Sequence, residues 1–467
     1  MGTNTMELSR ISKLFLDRDG VPAEEVLVRR QQFNMTLLCG ADIAHSYTLQ
    51  LAVLTAVSIA TRCFPGAVRV ALPSSLRSAR LLVWPALEWT FGRALVDILG
   101  TDALAEPTTE GRRGAALVFG DATASAKCLR VTFDGWVAKV GPAGGVPRLP
   151  EREYCTLAGI LAAALAVSEL FLSFADINIA AGHRVVALSL WRPDLDPFDP
   201  ASLGVPVEYL PKDLWLLGLG HLGNGYIWAL ASLPYASPHE VEFALMDFDK
   251  VIIENTETGL IFSEGDVKHY KTRAFSQWLE HRLFGTRVVE RRFDDMFRVQ
   301  DKEARLALCG FDSNPARRDL KTAGFTRVVE SGLGGTAANF DTINLHTLPN
   351  PRPVEKLWPD LSDGEAKKQR EHQEQVARTT KAYADLHDDE CGRFELAGKA
   401  VAVPFVGAAA GALVVAEVLR VLHEGVHFTD LKIRLGDLGN RSRLNAGTYG
   451  AEDLTGLTFA KARILRD

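Results

Sequence analysis

The sequence predicts an α/β protein made of two Rossmann-like units in one chain, paired as a pseudo-dimer, the first unit degenerate. Three observations carry that expectation. Residues 214–217 (LWLL) form a short apolar run that leads into Gly218, Gly220 and Gly223 and then an apolar helix over about 223–233. A glycine-poor version of the same pattern, MTLLCGADIAHS, precedes a helix over 47–62 in the first half. Two Ala-rich stretches then echo each other at corresponding places: LAAALAVSELF (161–171) matches AAGALVVAEVL (409–419) at Ala162/Ala410, Ala164/Ala412, Leu165/Leu413, Val167/Val415 and Glu169/Glu417.

The elements follow in order. The N-terminus, MGTNTMELSRISKLFLDRDG, has no apolar signal core, and Met6 breaks the myristoylation pattern. The run 156–174 is almost long enough to span a bilayer, but it holds Glu169 and much alanine, so it reads as a buried helix. The Pro-, Asp- and Gly-rich stretch RPDLDPFDPASLGVPVEYLPKD marks a seam near 200–212, dividing the chain into domains 1–205 and 206–467. The second half is longer by a charged segment, 350–400, whose middle reads as an exposed helix.

Composition narrows the classes. A chain of 467 residues, 47% hydrophobic, has room for large cores, and a formal charge of −6 argues against nucleic acid or an anionic membrane as partner. The six cysteines form no CxxC pair, which argues against a structural zinc site and fits free thiols in a reducing cytoplasm.

The glycine turn is where chemistry is expected. Glycines let a backbone approach phosphates, and the helix after them offers unpaired N–H groups and a favourable dipole. EFALMDF reads as the next strand, ending at Asp247, where a carboxylate binds ribose hydroxyls. These residues alone admit NAD, FAD or ATP. The first half has one glycine in its turn and no acid closing its second strand.

The continuation, DFDKVIIENTETGLIFSEGDVKHYKTR, separates the options. It resembles the ThiF/MoeB/ubiquitin-activating-enzyme superfamily, whose pattern is matched by Asp247, Asp249, Val251, Asn255, Ile261-Phe262 and Lys271. GFDSNPARRDL resembles the family's later D-x-N…R stretch, and GKAVAVPFVGAAAGALVVAEVLR its closing segment. The resemblance covers most of 212–425; more distantly, the first half resembles the degenerate half of fused activating enzymes.

The resemblance implies a first, degenerate adenylation-like domain and a second, active one. It implies ATP-dependent adenylation of the C-terminal carboxylate of a ubiquitin-like protein, with ATP and Mg²⁺ as cofactors. Gly218, Gly220, Gly223, Asp247, Asp249 and Asn255 would cradle the nucleotide, Lys271 would face its phosphates, and Asp312 would hold the metal. Adenylation asks the protein to position and neutralise phosphates rather than to do covalent chemistry.

One departure matters. Where the family has Arg-Gln, this chain has Thr258-Gly259, and losing an arginine removes a bidentate fork and a permanent charge. Arg273 is one replacement, and Arg29 or Arg30 another, because family members bring an arginine from the N-terminal helix of the opposite unit. Cys391 stands where ThiF-like members carry the cysteine that takes the carboxyl as a thioester, before hand-over to a conjugating (E2-like) enzyme. Asp388-Asp389-Glu390 beside it disfavour a thiolate, which a reactive acyl-adenylate tolerates. Cys309 and Cys39, each at the end of an apolar run, read differently: a buried structural thiol is expected at Cys309. By resemblance the setting is bacterial antiviral defence. Alternatives are an adenylyltransferase of a peptide or sulfur carrier without a thioester, a non-catalytic scaffold for a ubiquitin-like protein, and, more remotely, an NAD dehydrogenase.

Overall fold

The structure, a computed structural model, describes residues 10–100, 103–106, 115–123, 128–360, 371, 375, 398–448 and 454–465. Among the described residues seven strands make the first sheet: β1 (Asn34–Cys39), β2 (Ala67–Ala71), β3 (Leu104–Ala105), β4 (Ala115–Phe119), β5 (Leu129–Asp134), β6 (Val137–Pro142) and β7 (Val186–Ser189). The short β8 (Tyr209–Pro211) comes next. The second sheet has eight: β9 (Asp213–Leu217), β10 (Glu242–Met246), β11 (Gly285–Val289), β12 (Leu306–Cys309), β13 (Arg327–Leu333), β14 (Thr342–Leu348), β15 (Val426–Arg434) and β16 (Arg441–Thr448). Near the C-terminus β17 (Phe459–Lys461) pairs antiparallel with β8.

The first sheet runs β3-β2-β1-β4-β5-β6-β7 and the second β11-β10-β9-β12-β13-β14-β15-β16, so the order is the same apart from one added edge strand. Neither sheet is parallel throughout, as a simple Rossmann unit would be. β3 through β5 are parallel, as are β11 through β13 across their order; the strands beyond them are antiparallel. In the first sheet the reversal is a local matter: Asp134 pairs with Val137 across Gly135, whose φ of +58° suits a tight hairpin.

The echoing sequences occupy equivalent places. Helix Leu157–Phe174 joins β6 to β7, and helix Pro404–Leu422 joins β14 to β15. Both are long and apolar enough to cross a membrane, but 89% and 94% of their apolar windows are buried inside the protein. Each packs on the helix after its half's first turn, Tyr47–Cys63 or His221–Ala231, and they also pack on each other, with Phe171 and Phe405 rings 5.5 Å apart. The matched glutamates are both buried; Glu169 ties its helix to the chain leading into β7, and Glu417 ties its helix to β15 itself. Glu169 accepts from Gly182 N and Arg184, and Glu417 accepts from Phe428 N and pairs with Arg420. A buried carboxylate persists only with such partners.

Glycine sets the helix crossing in the second half. A Cβ on Gly225 would lie 2.0 Å from Gly407 O, and one on Gly411 would lie 2.2 Å from Gly225 O, so the two helices meet backbone to backbone. The halves also join through side chains. Trp228 Nε1 donates to Thr55 Oγ1 at 2.9 Å, Trp84 Nε1 donates to Ala231 O at 3.0 Å, and the Arg282 guanidinium lies 3.6 Å from the Trp278 ring centroid and 4.5 Å from that of Trp84.

Candidate functional site

Beyond the C-terminal ends of β9, β10 and β12 lies a cavity of about 850 Å³. Ligands of open α/β sheets bind in such a crevice. The glycine turn forms one wall. Gly218 has φ +80°, and a Cβ there would strike Phe311 and Gly310; a Cβ on Gly220 would meet nothing within 4 Å. Gly223 does not line the cavity. It lets the helix seat on the turn, since its Cβ would stand 2.5 Å from Gly218 O. Helix His221–Ala231 starts without a side-chain cap, so its first N–H groups remain for a ligand.

Asp247, directly after β10, is almost fully buried and braces the turn. Its Oδ2 accepts from Leu219 N at 2.7 Å and its Oδ1 from Asp249 N at 2.8 Å. Burial raises the carboxyl's pKa, and the Lys271 charge 3.9 Å away works against that rise. Lys271, the first residue of helix Lys271–Glu280, is buried too and donates to Asp249 Oδ2 at 2.9 Å. Asn255 lines the cavity while its Oδ1 accepts from Ile252 N at 3.0 Å, capping the short helix Ile253–Thr258. Asp312 lies exposed on the cavity wall, and no hydrogen bond to its carboxylate occurs among the described residues. A carboxylate with free lone pairs fits Mg²⁺, which takes one or two carboxylates and fills its other positions with water and phosphate oxygens. No cluster of three or more His, Cys, Asp or Glu of metal-binding geometry occurs among the described residues.

The structure therefore gathers Gly218, Gly220, Asp247, Asp249, Asn255, Lys271 and Asp312 around one cavity. It does not bring Arg29, Arg30 or Arg273 there. Arg29 turns to Asp19 and Asp176, at 3.0 and 2.8 Å. Arg30 is buried between Ser12 Oγ and Arg62 O, where burial lowers its pKa against the pull of Glu257. Arg273 is exposed and held by Glu290 at 2.6 Å. The arginine from the first half that lines the cavity is Arg10. Its Nε donates to Ala400 O at 2.8 Å, and burial lowers its pKa while Asp312 and Glu254 oppose the fall. The reason is an extra element: helix Ser12–Asp19 precedes helix Ala23–Gln31, so the residue reaching the other half lies further upstream than the arginines beside β1. An arginine just before an apolar helix (SRISKLFL) is the only sequence signal that points to it.

The Thr258-Gly259 pair is built into the packing. Thr258 O receives His221 Nδ1 at 2.7 Å, and a Cβ on Gly259 would already meet the Asn224 side chain at 2.7 Å. Asn224 Oδ1 in turn accepts from Leu260 N and Ile261 N. On the far side Arg62, from the first half, donates to Thr256 O and Phe262 O, and burial pushes its pKa down to about 10. Sequence reasoning misses His221 as a site residue. Its Nε2 is shut off from solvent with no partner among the described residues, and burial, helped by the Arg10 charge, pushes its pKa down to about 4. Cys309 and Cys39 are buried at their strand ends, with thiol pKa values driven up by burial. Cys391 lies outside the described residues, as does most of the charged segment around it.

The sequence matches two family models, the BilD N-terminal domain over residues 34–190 and the BilD C-terminal domain over residues 210–425. It is 34% identical over 426 residues to the bacterial E1-like protein BilD of Collimonas sp. (strain OK412), covering 90% of each chain. Among solved structures, E. coli MccB aligns over 68% of this chain and 92% of its own at 14% identity and a TM-score of 0.37. E. coli tRNA N6-threonylcarbamoyladenosine dehydratase, TcdA, aligns over 45% and 86% at 16% identity and a TM-score of 0.29. The 34% identity over nine-tenths of both chains decides the matter: the chain belongs to the BilD family of bacterial E1-like proteins.

Proposed function

We propose that this protein adenylates the C-terminal carboxylate of a ubiquitin-like protein with ATP, in the cavity of the second half. The chain would act as a pseudo-dimer, with residues 206–467 forming the active domain and 1–205 a degenerate one. The observation that carries the reading is Arg10. A guanidinium from the first half lines the second half's cavity together with Lys271 and Asp312, so both halves contribute charge to one place. It offers the cation that Thr258-Gly259 lacks.

The protein's part is binding and orientation. The open backbone at Gly220 and the uncapped helix would receive phosphate oxygens. Lys271 and Arg10 would neutralise charge as the substrate carboxylate attacks the α-phosphate and pyrophosphate leaves. Mg²⁺ held by Asp312 would supply further neutralisation of the phosphates. Cys391 would then take the acyl group from AMP as a thioester and pass it to a conjugating enzyme.

Isotope exchange between ATP and pyrophosphate tests the first step. Exchange should require the ubiquitin-like partner with its terminal carboxylate intact; no exchange with the correct partner refutes adenylation. A reductant-sensitive thioester lost in Cys391→Ala tests the second step. Conjugation that survives this substitution would mean that the enzyme stops at the adenylate.

A further inference from the structure

Phe248 is an aromatic ring left open on the wall of the same cavity. It is 44% exposed, although its chain neighbours Met246 and Asp247 are buried. Arg292, just past the end of β11, lays its guanidinium 4.4 Å from the Phe248 ring centroid. Nearby arginines are held by carboxylates, Arg291 by Asp294 and Arg273 by Glu290, but Arg292 has no ion pair among the described residues. A flat apolar ring backed by a free planar cation faces the cavity.

Its position suggests what it is for. In a strand, glycine turn, helix and strand unit, phosphates sit at the turn and the ribose at the acid ending the second strand. A nucleotide laid from Gly220 past Asp247 runs on over the ends of β10 and β11, where Phe248 and Arg292 stand. We infer that Phe248 and Arg292 form the platform on which the nucleobase stacks, and that they grip it by its face. This rests on the nucleotide-dependent reading above and adds the residues that hold the base. A π-face binds aromatic rings and cations without reading their polar edges, so the platform rewards ring area and favours a purine over a pyrimidine.

Calorimetry on the full chain with Mg²⁺, without any partner protein, separates the possibilities, using ATP, CTP and inorganic tripolyphosphate as probes. Phe248→Ala should weaken ATP binding about tenfold or more, the usual worth of one base–aromatic stack, and leave tripolyphosphate binding unchanged. Phe248→Trp should keep ATP affinity and show fluorescence quenching by ATP, relative to the wild type, but none by tripolyphosphate. Arg292→Ala should give a smaller loss confined to ATP, and the wild type should bind ATP more tightly than CTP. Equal ATP affinity in wild type and Phe248→Ala overturns the platform, as do equal losses for ATP and tripolyphosphate. A wild-type protein that binds tripolyphosphate but gains nothing from the base also overturns it, while leaving the phosphate site standing. Failure of the wild type to bind either overturns the nucleotide reading itself.

Discussion

The two halves present the same turn at the same point of the same sheet order, yet one is filled and the other open. Three residues beyond the strand end, the second half has Gly220, with nothing within 4 Å of where its Cβ would be; the first half has Asp42. The Asp42 carboxylate accepts from Asp121 N at 3.0 Å and pairs with Arg148, occupying the space itself. The helices differ in the same sense. His221–Ala231 begins uncapped at the turn, whereas Tyr47–Cys63 is set back behind a 3-10 segment, Ala41–His45, and capped by Ser46, with Glu153 accepting from both Ser46 Oγ and Thr48 N. Where the second half has Asp247, the first has Leu72. An anion site needs unsatisfied N–H groups; at the start of the helix the first half commits them to Ser46 and Glu153, while helix His221–Ala231 has no side-chain cap.

The largest expected effect comes from moving the plug. Gly220→Asp places a carboxylate where phosphate would sit, and like charges about 4 Å apart in a partly buried site repel by several kcal/mol. ATP–pyrophosphate exchange should fall by about a hundredfold or more on that estimate. Thermal stability should hold, because the position has open space and Asp is a good N-cap. A variant that still exchanges would break the comparison.

Next in size is Arg10→Ala. Losing one charge-assisted contact of roughly 1.5–3 kcal/mol predicts a rate loss of about ten- to a hundredfold. Arg29→Ala and Arg273→Ala should leave exchange intact, because exposed and half-exposed ion pairs contribute little to stability. Equal losses at all three would point to stability rather than to a cation at the cavity.

The helix crossings sharpen the comparison in a different way. Gly411→Ala must push against Gly225 O at 2.2 Å, while Gly159→Ala in the first half meets Thr48 O at 2.7 Å. Both should destabilise by about 1–3 kcal/mol, the range for overpacking, with Gly411→Ala the worse in chemical denaturation.

A pH-dependent effect separates the halves as well, an acid sensitivity that His221 gives to the second. His221 has a folded pKa of about 4 against an ordinary 6.5, so the unfolded chain takes up the proton first. Stability from keeping the imidazole neutral is complete above 6.5 and is lost as pH falls toward 4. His221→Gln should flatten the pH–stability curve in that window. The equivalent residue of the first half, Ile43, has nothing to titrate.

Much of this was legible in the chain. The apolar run at β9, the glycines after it and Asp247 after β10 are neighbours in sequence, and turn chemistry acts over a few residues. The echo of 161–171 with 409–419 located two equivalent buried helices because Ala-rich periodicity and a glutamate are read directly from the residues. Asp312 comes after β12, which lies next to β9 in the sheet, so strand order delivers it to the same crevice.

Arg10 shows where that ends. Its hydrogen bond to Ala400 spans 390 residues, and basic residues near helix ends are too common for composition to distinguish it from Arg29 or Arg30. The purpose of Thr258-Gly259 was equally hidden. In sequence it is a missing arginine; in space it is a seam stitched by His221, Asn224 and Arg62, where a Cβ at residue 259 would stand 2.7 Å from the Asn224 side chain. Local patterns dictate strands, turns and buried faces because those depend on near neighbours. Which cation reaches the cavity, and which glycine turn stays open, depends on groups far apart in the chain, and only packing of the two halves brings them together.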